Sequence, residues 1–312
     1  MNDGFLGTLR LAFVALQNVS FAIVVGALLI DGWFAREESP WQLNVSKRLH
    51  VAMRTAAFSA LAFSAFAFWI HSALMSDSAL SEAAPAVRSM VEETGFGHAW
   101  LASTVLMLSV LALALLPSAA LTRLRPVIWL VMMGIALARS HMDHPVDAGA
   151  FSLPVWADWV HLLAISVWVG LVLVATYVVA PRLIDAPADA QRASAAFIQS
   201  LSNAATFAFV ALFLTGAYNG WRGVGMPGNL LASTYGQLLL LKLALVILAA
   251  ALGGHNRFFE MPRVLATLKR SSLESPTRPL RRFATVLHIE SVVLAGVVAT
   301  AAVLASSPLA GT

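Results

Sequence analysis

Cysteine is absent from all 312 residues. That excludes disulfides, thiolate zinc sites, iron–sulfur clusters and c-type haem attachment. Any metal must be held by His, Met, Asp, Glu or backbone oxygen. Charge is also scarce. Asp, Glu, Lys and Arg make up 12% of the chain, against about 25% in a soluble domain. Mean hydropathy is +0.78. A surface with so little charge does not face water, which excludes a soluble enzyme, a disordered tail and a nucleic-acid-binding domain. The pI of about 10.0 arises from a net charge of only +4. That charge sits in a few loops, so it reports membrane topology rather than a polyanionic partner. Walker-type phosphate loops and the Asp-Lys-Thr-Gly phosphorylation sequence are missing, which argues against an ATP-driven mechanism. No A-x-A-like cleavage site follows the first apolar segment, which reads as a retained membrane helix. Low-complexity segments and clear internal repeats are absent too.

What remains is long apolar runs. A hydrocarbon core of about 30 Å needs about 20 apolar residues in a helix. Segments near 9–30, 52–75, 97–116, 126–140, 155–181, 196–221, 236–257 and 283–307 meet or approach that length. The fourth is the shortest. The runs are continuous rather than alternating, which favours helices over a β-barrel. The expected fold is all-α: a polytopic bundle of eight transmembrane helices. It forms a single membrane domain over 1–312, with halves at 1–145 and 155–307.

Lys and Arg orient the bundle. One side carries Arg36, Lys47, Arg48, Arg54, Arg123, Arg125, Arg182, Arg192, Arg257, Arg263, Lys269, Arg270, Arg278, Arg281 and Arg282. The other carries Arg10, Arg88, Arg139 and Arg222. Lys242 lies inside span 7. The bias predicts both termini outside the cytoplasm, periplasmic in a bacterial inner membrane. The stretch 258–282 reads as a solvated basic cytoplasmic linker, with contact to anionic lipid as the alternative.

This topology sorts the histidines. His71, His98, His141, His144 and His161 gather at the outer face, and His50, His255 and His288 lie toward the cytoplasm. The densest cluster is Arg139-Ser140-His141-Met142-Asp143-His144. His141 and His144 share a face if the helix continues. Imidazole with the Met142 thioether suits copper, as Cu(I) or Cu(II), while the histidine count alone leaves zinc open. Asp158 and His161 form a second i, i+3 pair at the mouth of span 5, where a carboxylate can orient an imidazole or ligate directly. Ionisable groups inside a span are costly and usually functional, which singles out His161 and Glu290. Depth counting brings Arg257 or His255, rather than Lys242, to the level of Glu290. Met75, Met107, Met132 and Met133 read as packing.

The stretch Asp158-Trp159-Val160-His161-Leu162-Leu163-Ala164, followed by Trp168-Val169-Gly170, resembles the opening of the copper-resistance protein D family (CopD). That family's pattern is Asp-x-x-His with a Trp and a double Gly further on. Here Leu171 stands at the second Gly. The resemblance continues through Thr215-Gly216, Ser233-Thr234-Tyr235-Gly236, Leu239 to Lys242, Asn256-Arg257, Pro262, Arg282 and Glu290. It implies an inner-membrane copper homeostasis protein that moves copper and works with a small periplasmic copper-binding protein. The family motif carries over to Asp158 and His161. The placement of His71, His98, His141 and His144 comes from topology alone.

The sequence therefore predicts a non-enzymatic copper-resistance protein. Its outward-facing site would draw on His161, Asp158, His71, His98, His141, His144 and Met142. The alternative is a b-type haem protein with bis-His ligation, one pair from His71, His98 and His161 and another from His255 with His288. A membrane metallo-oxidase or oxidase chaperone is a third reading, without a catalytic pattern to support it. A structural membrane subunit is the fourth.

Overall fold

In lipid, backbone N–H and C=O groups find no water, so an apolar run satisfies them within itself by coiling into a helix. The computed structural model describes residues 3–34, 39–142, 147–269 and 277–307, and follows this rule throughout. The helices are α1 (Asp3–Phe34), α2 (Pro40–Met75), α3 (Ala84–Glu93), α4 (Gly95–Ala114), α5 (Ser118–Ser140), α6 (Leu153–Val174), α7 (Ala180–Ile184), α8 (Gln191–Val224), α9 (Asn229–Ala232), α10 (Thr234–His255), α11 (Met261–Lys269) and α12 (Thr277–Ala305). Among the described residues there is no strand. Eight of the described stretches are long and apolar enough to cross a membrane. The chain is a multi-pass membrane protein with an all-α bundle.

Helix starts are set by short polar side chains that accept from otherwise unpaired N–H groups. Ser39 and Gln42 form a capping box ahead of α2, with Pro40 in the first turn. Thr94 accepts from Gly97 N–H at 2.9 Å to open α4. Ser233 accepts from Gly236 N–H at 3.0 Å to open α10.

Three elements depart from the sequence expectation. The fourth span is a full 23-residue helix that carries Pro126 inside it. The amphipathic α3 lies between spans 2 and 3 with no buried residue. Most importantly, the basic stretch after span 7 is not a linker from residue 258. A π-helical turn, Asn256–Glu260, passes directly into α11. The cause is apolar spacing: Met261, Val264 and Leu268 are buried along one face, a helical rather than a loop pattern. A second π turn, Ala175–Val179, joins α6 to α7. Pro181 has no N–H to give back to the preceding turn, and the helix widens just before it.

The central helices are α1 and α6. They cross where Gly26 meets Gly170, and a Cβ on Gly26 would sit 2.2 Å from the Gly170 carbonyl. Only backbone fits there, the small-residue contact that lets membrane helices approach closely. Leu171, which stands where the family pattern has a second glycine, is fully buried in the apolar core. On the α6 side the close approach uses Gly170 and not the position after it. Arg10, early in α1, donates to Ser306, just beyond α12, at 3.1 Å, so the two terminal helices end at one face of the bundle. At the opposite end, buried Asp31 of α1 pairs with Arg125 of α5 at 2.8 Å and with His50 of α2 at 3.3 Å. That network joins three helices of the N-terminal half.

Candidate functional site

Asp158 and His161 lie one turn apart near the start of α6, and α8 presents Thr215 and Asn219 one turn apart opposite them. Two rungs result. Asn219 donates to the Asp158 carboxylate at 3.4 Å. The His161 Nδ1 lies 3.1 Å from the Thr215 hydroxyl oxygen. That hydroxyl has one proton, and it is directed at the Ala211 carbonyl, 2.7 Å away. Thr215 therefore accepts from His161 Nδ1–H. The imidazole is held in one tautomer, with its Nε2 lone pair free to bind a cation or accept a proton. Gly216 supports this pose, since a Cβ there would approach His161 Cε1 to 3.2 Å. Lys242 of α10 completes the cluster, close enough for its charge to act on His161 and for the Asp158 charge to act on it.

The other predicted residues occupy separate places. His71 packs its ring against Phe96, with centroids 4.8 Å apart. His98 is exposed in the first turn of α4. His141 follows α5, and each of its ring nitrogens lies 2.8 Å from a carbonyl, those of Leu137 and Ala150. Met142 is half-buried. Asp143 and His144 lie outside the described residues. Among the described residues, no three His, Asp or Glu side chains gather into a group able to hold a metal ion. His161 and Asp158 thus stand together as a pair, with neutral polar and cationic neighbours. His255 lies 3.6 Å from Glu260 and stacks on Phe259, while His288 packs edge-on against Tyr177.

Glu290 differs from its expected pairing. Neither Arg257 nor His255 reaches it. Its carboxylate accepts from Trp168 Nε1–H of α6 at 3.0 Å, and Arg257 instead donates to Ser202 at 2.7 Å and Thr206 at 3.1 Å. Depth counting placed Arg257 near enough, but it turns toward the hydroxyls of α8. Two features were not read from the sequence at all. Asn219 carries no charge to draw notice, and its one signal is that it lies four residues beyond Thr215, on the same face of α8. Asp31 stands just past the apolar run 9–30, yet it is only 3% exposed.

Comparison with known families gives two matches. The model described as Copper resistance protein D covers residues 195–304, and that described as Copper resistance protein D-like, N-terminal domain, covers residues 1–141. No curated protein and no solved structure matches the chain. Thr215, Asn219, Lys242 and Glu290 fall within the first match, and Asp158 and His161 lie between the two. The matches take in both halves of the bundle, and the chain belongs to the copper resistance protein D family.

Proposed function

We propose that this copper-resistance membrane protein takes copper in at the mouth formed by α6, α8 and α10, and passes it across the inner membrane without ATP hydrolysis. The observation that supports this most is the His161 imidazole, fixed by Thr215 with Nε2 presented as a donor beside the Asp158 carboxylate. Ligating histidines are commonly oriented through their other nitrogen in this way. Asp158 offsets the charge of Lys242, which would otherwise repel an arriving cation. In this reading His161 and Asp158 form the core of the site. His98, Met142 and His144 supply donors on the approach from outside. His141 and His71 contribute after leaving their present contacts. The single membrane domain acts through two halves, 1–145 and 155–307, supported by one apolar core that runs from α1 into α6. Both termini are periplasmic, and the chain has no enzymatic role.

The test is elemental analysis of purified protein after loading with Cu(I) or Cu(II). The wild type should retain copper, and His161→Ala should lose most of it while still inserting and folding. His50→Ala, in the Asp31 network at the other end, should keep its copper. Normal copper in His161→Ala with loss in His50→Ala would move the site to the inner face. A small periplasmic copper-binding protein is the proposed donor, because a carrier delivers the ion without releasing it. Pull-down with the copper-loaded and apo forms of that protein should show capture of at least one. Capture of neither means that the chain takes free copper.

A further inference from the structure

Glu290 is the second costly polar position inside the membrane, and it lies apart from the His161 cluster. It sits near the middle of α12, 2% exposed. Among the described residues no Lys or Arg forms an ion pair with it, and its hydrogen bond comes from the neutral indole of Trp168. A carboxylate without a cation is strongly disfavoured in such surroundings, whereas the neutral acid is tolerated.

Beside it lies a cavity of about 270 Å³, walled mainly by apolar side chains of α6, α8, α10 and α12. Glu290 forms part of that wall. So do exposed Phe258 and half-buried Arg257, which carry the cavity to the bundle surface beyond the C-terminal end of α10. The space is large enough for several water molecules. Gly253 leaves the carboxylate uncovered from the α10 side, where a Cβ would lie 3.1 Å from Glu290 Oε1. The charged groups on the cavity wall are Glu290 and Arg257, the latter held by hydroxyls of α8. The parts of α6, α8 and α10 that line it contribute no other titratable side chain. His288 of α12 packs on Tyr177 instead. Trp168 follows His161 by seven residues, so one face of α6 connects the outer cluster to Glu290 over about 10 Å.

We propose that Glu290 is a proton-binding site, loaded through this cavity, whose proton is exchanged for copper. This rests on the copper reading above. The carboxylate takes a proton from solvent entering the cavity and becomes neutral. A copper cation moving inward from His161 favours the anion, and the displaced proton leaves toward the outer cluster along that face of α6, opposite to the copper. Proton and copper thereby compete for one negative charge.

A hydrophobic carbodiimide tests the site without copper. A protonated carboxylic acid adds across its C=N bond, and the O-acylisourea rearranges to a stable N-acylurea. Dicyclohexylcarbodiimide should mark Glu290 in the wild-type protein in liposomes, read by peptide mass spectrometry. Marking should weaken as pH rises and vanish in Glu290→Gln, which keeps an acceptor for Trp168. Glu290→Asp, which keeps the acid, should restore it. In copper-loaded liposomes with a pH-sensitive dye, wild-type copper flux should drive opposing proton flux. Glu290→Gln should retain copper at the outer site yet lose at least ten-fold in proton flux. Absence of label on wild-type Glu290 at every pH, or unchanged proton flux in Glu290→Gln, overturns the proposal. A wild type that moves no copper sinks the copper reading and the exchange with it, while the labelling still decides whether Glu290 holds a proton.

Discussion

Thr215 has no charge and ligates nothing, yet it determines which His161 nitrogen is available. Its hydroxyl proton is committed to Ala211, so the oxygen must accept from the ring. Thr215→Val keeps the shape and removes the acceptor, leaving the imidazole free to change tautomer. Copper affinity should fall about 10- to 100-fold, the usual cost of losing an orienting partner, with Thr215→Ser close to wild type. Competition against a chelator of known affinity measures this, and equal affinities in all three proteins would remove Thr215 from the site. That Asp158 and His161 share a helix face was legible in the sequence, because i, i+3 spacing fixes it. Their partners were not, because the register of α8 against α6 depends on packing that no local pattern records. Lys242 shows a signal that was present and aimed elsewhere. Lys242 and His161 are each the ninth residue of their helices, α10 and α6, so they enter the membrane to similar depth. Sequence counting compared Lys242 only with Glu290.

At the scale of elements, the α1–α6 crossing holds the two halves together at a point where no side chain fits. A Cβ on Gly170 would lie 1.9 Å from the Ala22 carbonyl oxygen. Both partners are backbone, so the strain cannot be relieved by a rotamer change. Gly170→Val should cost at least the 1–3 kcal/mol or so typical of overpacking, seen as a lower melting temperature in detergent and poorer recovery as a monodisperse species. Gly7→Ala, in open space on α1, should be neutral or slightly stabilising, as alanine favours helix over glycine by up to about 1 kcal/mol. Equal effects of the two substitutions would mean the crossing is not tight. Apolar length made the existence of all eight spans legible, because lipid leaves the backbone no other solution. Their ends were less so. The helices of α2 and α11 continue past the apolar windows, because at the membrane surface amphipathic spacing takes over from continuous hydrophobicity. The π turns before Pro181 and after His255 disturb that spacing without ending the helix.

For the molecule as a whole, orientation decides what the His161 mouth does. Charge bias predicts that it lies outside, but several of the counted cations are structural. Arg125 is paired with Asp31, Arg54 donates to the Ala114 carbonyl at 2.7 Å, Arg257 is held by α8, and Arg139 donates to Asn18. Setting these aside removes three charges from the inner count and one from the outer. The asymmetry survives, and with it the prediction. The chain's lack of cysteine makes the test clean, since any introduced thiol is unique. Glu82 and Asp185 are exposed and lie in turns that the derived topology assigns to opposite sides. In intact spheroplasts an impermeant maleimide should label Glu82→Cys readily and Asp185→Cys only after permeabilisation. The reverse pattern would turn the bundle over. His161 and Asp158 would then face the cytoplasm, the Glu290 cavity would open to the periplasm, and the same chemistry would describe copper leaving the cell rather than entering it.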